Sequence, residues 1–116
     1  MLENKLNEIA DLLADVLPEN WEKVIFHGDL DDTYYDFYYY VKINNKYVQC
    51  FNLDMYGIDK VSVRNCFEKI FEICSGIKKT WNSFDLIIDN EGRFKIDYNY
   101  ENELTIDEWK AKYLNG

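Results

Sequence analysis

Leu2, Leu6, Ile9, Leu13 and Val16 recur at the spacing of one buried helix face, and Pro18 in "PENW" ends the pattern. Residues 21–27, "WEKVIFH", then read as a strand, "GDLDD" at 28–32 as a loop, and "YYDFYYYVKI" at 34–43 as a second strand. Asn44 and Asn45 tolerate positive φ, so "KYVQCFN" at 46–52 is expected to return as a hairpin partner. Gly57 and Asp59 open a second helix whose apolar face carries Val63, Cys66, Phe67, Ile70, Cys74 and Ile77. Alternating stretches at 83–89 and 93–100 flank "NEG", where Gly92 suits a short hairpin loop. Thr105 to Glu108 has the capping-box spacing and predicts a short last helix.

The resulting order, α-β-β-β-α-β-β-α, predicts an α+β fold. Its antiparallel sheet has about five strands, with helices packed on one face and the other face open to water or a partner. At 116 residues, the expectation is a single domain over 1–116. Hydrophobic residues make up 47% of the chain and aromatics 17%, enough for a core without staples.

A net charge of −9 argues against nucleic acid or an anionic membrane as the direct partner, since both need a basic footprint, and favours a basic protein. Cys50, Cys66 and Cys74 form no short pairing motif, and two of them share a helix face, so buried thiols and a reducing, cytoplasmic location are expected. The first residues lack the pattern of a signal peptide. His27 is the sole histidine and stands beside no activated nucleophile, so a hydrogen-bonded or surface role is expected rather than catalysis. One histidine and three scattered cysteines do not have zinc-motif spacing. Counting from Asp29, an EF-hand would need Gly and Glu where Tyr34 and Tyr40 stand. Asp85, Asp89 and Asp97 are expected near one another on the last hairpin, without a pocket to make them an acid–base pair. The five glycines are isolated, so no phosphate loop exists. No cofactor, metal or enzymatic activity is expected.

The tyrosines are the more informative feature. On 34–43, one face carries Tyr35, Phe37, Tyr39, Val41 and Ile43; the other carries Tyr34, Asp36, Tyr38, Tyr40 and Lys42. Tyrosine offers large contact area with a polar tip, so the second face suits an interface, although cross-strand pairing would equally explain it. In "RFKIDYNYEN" at 93–102, Phe94, Ile96, Tyr98 and Tyr100 face the core while Arg93, Lys95, Asp97 and Asn99 face outward. Partner-binding candidates are therefore Tyr34, Asp36, Tyr38, Tyr40, Asp97 and Asn99, with Tyr98 joining them if the register shifts by one.

Three segments, "LNEIADLLADVLPENWEKV", "YYDFYYYV" and "TWNSFDLIIDNEGRFKIDYNYEN", together resemble the YezG-like immunity proteins, antitoxins of bacterial polymorphic toxin systems that include the EsaG type. The resemblance spans nearly the whole chain in the same order, and the last segment, with Trp81 and "FKIDYNY", carries the most weight. It implies a non-enzymatic cytoplasmic protein that binds and neutralises a cognate toxin, commonly a nuclease; the exposed tyrosine-rich face is compatible with either a monomer or a homodimer when free. The alternatives are a general acidic adaptor sharing the tyrosine face, or a small hydrolase built on His27 and carboxylates.

Overall fold

The computed structural model describes residues 2–30, 35–75, 83–99 and 105–114. Helix α1 runs Leu2–Ala14, strands β1, β2 and β3 run Lys23–Leu30, Tyr35–Ile43 and Lys46–Gln49, and a 3-10 segment follows at Cys50–Tyr56. Helix α2 is Lys60–Ser75, strands β4 and β5 are Ser83–Asp89 and Phe94–Asn99, and helix α3 is Ile106–Tyr113. The strands form one sheet in the order β3-β2-β1-β4-β5, with every neighbouring pair antiparallel. The expected α+β class and element order are observed. The hairpin turns use the anticipated chemistry: Asn44 and Asn45 take φ of 52° and 63°, and Gly92 takes 86°.

Alternation places Val24, Phe26, Phe37, Tyr39, Phe84 and Leu86 on one side of the sheet, all nearly or fully buried. α1 and α2 cover this side, as expected, with Ile9, Leu13, Val63 and Ile70 fully buried. Phe67 of α2 meets Phe26, Phe37 and Tyr39 with ring centroids 6.2, 5.8 and 5.7 Å away. Burying such a side chain contributes roughly 1.5–3 kcal/mol, so this aromatic layer is a main source of stability.

Several boundaries differ from expectation for local reasons. The 28–32 stretch is not a loop throughout: Gly28, Asp29 and Leu30 extend β1, and residues 31–34 lie outside the described residues. Gly28 pairs with Phe37 of β2 and Phe84 of β4, and only glycine fits there because a Cβ would sit 2.5 Å from the Phe84 ring. β3 ends at Gln49 rather than 52, because the chain coils to bury Cys50 and Leu53 and closes at Gly57 with φ 92°. α2 starts at Lys60, where the Asp59 carboxylate accepts the Ser62 N–H at 2.7 Å. The expected positions of Ile77 and Trp81 fall outside the described residues. None of the three cysteines is in a disulfide among the described residues, and all are buried on the core side. Among the described residues, no helix is long and apolar enough to cross a membrane.

Candidate functional site

The second face of the sheet is not left open. β-sheet register aligns Tyr38, His27, Asp85 and Asp97 in one row across β2, β1, β4 and β5, all on the side away from α1 and α2. α3 lies over this row. Trp109 is 1% exposed, and its ring centroid is 4.9 Å from Tyr38, 5.8 Å from Tyr40 and 6.1 Å from His27. Tyr38 also stacks on His27 at 4.8 Å.

Asp85 is the hub. Its Oδ1 accepts the His27 Nδ1–H at 2.7 Å and the Trp109 Nε1–H at 2.6 Å; its Oδ2 accepts the Tyr113 hydroxyl at 3.2 Å. The Tyr113 hydroxyl also lies 3.0 Å from Asp97 Oδ2, so its one proton serves two carboxylates. Burial, and then the negative charges of Asp85 and Asp97, push the Tyr113 phenol well above its ordinary range. Lys95 stands 3.7 Å from Asp97 and offsets part of that negative charge. A carboxylate only 1% exposed is costly to bury unless it is hydrogen-bonded, and here three donors converge on it.

Trp109 and Tyr113 are four residues apart and therefore share one face of α3, with ring centroids 5.3 Å apart. The helix is started by a complete capping box: Thr105 Oγ1 accepts the Glu108 N–H at 3.2 Å, and Glu108 Oε1 accepts the Thr105 N–H at 3.0 Å. An eight-residue helix is not stable alone. It persists because Trp109 and Tyr113 tie it to the sheet.

The residues singled out from the sequence fall as follows. Asp36, Tyr38, Tyr40 and Asp97 share the second face, but Tyr38 and Tyr40 are half-buried and pack on Trp109, while Asp97 is held by Tyr113. Asp36 is exposed. Asn99 ends β5, opposite Ser83. Tyr98 stays on the core side, packed against the buried cluster. Tyr34 lies outside the described residues. Of the three hairpin carboxylates, Asp85 and Asp97 are brought together, whereas Asp89 turns to Arg93 at the far end of β4. His27 is hydrogen-bonded and buried, the structural role expected for it. Trp109 was not singled out, although its i, i+4 spacing from Tyr113 was a readable sign of a docked helix face.

The polar row is arranged for holding rather than for chemistry. The thiols lie across the sheet from it, and the grooves between α1 and α2 and between α1 and the β4–β5 turn are lined by other residues. Among the described residues, no group of His, Cys, Asp and Glu side chains converges to hold a metal ion.

Comparison with known proteins agrees with this non-catalytic geometry. The chain is 28% identical to the protein named Immunity protein YezG of Bacillus spizizenii (strain ATCC 23059 / NRRL B-14472 / W23) over 119 aligned positions, covering 93% of this chain and 70% of the relative. It is 22% identical to the protein of the same name in Bacillus subtilis (strain 168) over 107 positions, covering 83% and 71%. A family model described as "Immunity protein YezG-like" matches residues 2–114, nearly all of the helices and the sheet, and the chain belongs to that family of toxin-neutralising, non-enzymatic immunity proteins.

Proposed function

We propose that this protein acts in the cytoplasm by binding a cognate basic toxin, a nuclease, and blocking it without catalysis. The family match over residues 2–114 carries the reading. Physical support comes from charge. A nuclease needs a positive surface to hold phosphates, and a partner of net charge −9 is drawn to such a surface at long range. Speed of capture matters for an inhibitor that must act before the toxin does.

In this reading the second face with α3 on it contributes to recognition. Asp36 is an exposed acid on its sheet, while Tyr38, Tyr40 and Asp97 act through the shape they give to Trp109 and Tyr113. Asn99, at the end of β5, is the remaining candidate on the same side of that strand as Asp97. Asp36→Lys is the clean test of this surface, because the side chain is exposed and makes no ion pair among the described residues. Co-expression with the cognate toxin is expected to rescue growth with the wild-type protein and to rescue it less well with Asp36→Lys. A wild-type protein that gives no protection removes the immunity reading. A fully protective Asp36→Lys removes only the surface.

A further inference from the structure

The described charges are not spread evenly over the molecule. On the second face Asp29, Asp36, Asp89 and Asp97 are interleaved with Lys23, Lys42 and Lys95. There α3 adds Asp107 and Glu108 beside Lys110 and Lys112, and Asp89 and Asp97 are already paired with Arg93 and Lys95. The helical side differs. A groove of about 530 Å³ runs between α1 and α2, with half-buried Leu12 and Ile73 at its floor. Glu8, Asp11, Asp15 and Glu72 line it against only Lys5 and Lys69.

The placement of these acids works against the stability of α1. Asp11 lies in the last turn of the helix and Asp15 just beyond its end, and the last turn holds no basic residue. The C-terminal end of a helix carries partial negative charge, which favours cations there and disfavours carboxylates. Asp11 and Asp15 are also a like-charge pair at i, i+4 and neither is in an ion pair among the described residues. Acids needed only for solubility carry no such cost elsewhere on the surface.

We propose that the α1–α2 groove is the docking surface for a basic amphipathic segment of the toxin. Its apolar side chain would rest on Leu12 and Ile73 while its Lys or Arg residues meet Asp11, Asp15, Glu8 and Glu72. The proposal deepens the immunity reading, on which the basic character of the partner rests. It places a binding surface on the layer opposite α3, so the two surfaces are separable by mutation.

The test uses the toxin co-purified with the wild-type protein, separated under denaturing conditions and refolded. Its affinity is measured for the wild-type protein and for the double variant Asp11→Asn/Asp15→Asn, at low and high salt, alongside thermal unfolding of each free protein. The expected result is binding weakened about tenfold or more, with a shallower salt dependence, in a variant whose Tm is equal to or above the wild type. Loss of binding with retained or increased stability is what a merely structural role for these acids would not produce. Affinity within twofold of wild type overturns the proposal and leaves the immunity reading intact. So does hydrogen exchange of the wild-type complex that shows protection at α3 and β2 but none on α1 or α2. Failure of the wild-type protein to bind the toxin overturns the immunity reading itself.

Discussion

Trp109 is the largest fully buried side chain described and the main tie between α3 and the sheet, so two substitutions there separate packing from hydrogen bonding. Trp109→Ala removes the ring from its contacts with Tyr38, Tyr40, His27 and Tyr113. Truncating a buried aromatic of this size costs roughly 3–5 kcal/mol. Trp109→Phe keeps most of the packing but removes the Nε1–H donor from a carboxylate that is 1% exposed. A hydrogen bond to a charged group contributes roughly 1.5–3 kcal/mol, so the phenylalanine variant sits between alanine and wild type. At an unfolding entropy of about 2.1 cal/mol/K per residue, each kcal/mol lowers the Tm of a chain this long by about 4 °C. The alanine variant is therefore expected about 12–20 °C below wild type and the phenylalanine variant about 6–12 °C below. Far-UV circular dichroism is the proper probe, because the substitution removes a fluorophore. Both variants unfolding within about 1 kcal/mol of wild type would refute the claim that Asp85 and Trp109 hold α3 in place.

Three further outcomes follow from other parts of the fold. Gly28→Ala is expected to destabilise by roughly 1–3 kcal/mol in urea unfolding, because its Cβ meets the buried Phe84 ring at 2.5 Å; an unchanged midpoint would show that the ring can yield. The Tyr39 hydroxyl is buried without a hydrogen-bond partner among the described residues, and burial pushes the phenol well above its ordinary range. Tyr39→Phe is therefore expected to match or exceed wild-type stability, by up to about 1 kcal/mol, whereas a loss beyond that would contradict an orphaned hydroxyl. Glu108 is held below its ordinary value of 4.5 because it accepts hydrogen bonds from Thr105. Its folded value lies below its unfolded one, so its contribution is complete above about pH 4.5 and is lost as pH falls through the folded value. Protection factors of the α3 amides, corrected for intrinsic exchange, should fall over that acidic window in the wild type and less so in Glu108→Gln.

Period and turn chemistry made most of the fold legible. α1, α2 and the two hairpins rest on apolar spacing and on Asn44, Asn45 and Gly92, which are local signals. The misplaced boundaries arose where a distant residue decides the outcome. Gly28 reads locally as a loop glycine, and pairing with the distant β2 and β4 makes it a strand residue. Likewise β3 stops early because Cys50 and Leu53 find burial by coiling, which no alternation pattern reveals. The candidate site was legible as a face but not as a contact. Alternation assigned Asp36, Tyr38, Tyr40 and Asp97 to the same side of the sheet. His27 and Asp85 meet across 58 residues, through a β1–β4 register that sequence spacing does not encode. Tyr38 and Tyr40, which alternation offers to a partner, are turned inward onto Trp109.

Inhibition by complex formation, as opposed to catalysis, is distinguished by a stoichiometric titration. A fixed amount of the purified cognate toxin is assayed for nuclease activity while this protein is added. Activity should fall linearly to zero with a break at one equivalent, and active toxin should be recovered when the complex is denatured, separated and refolded. Undiminished nuclease activity at excess protein, or inactivation of many toxin molecules by each added molecule, would rule out inhibition by a stoichiometric complex.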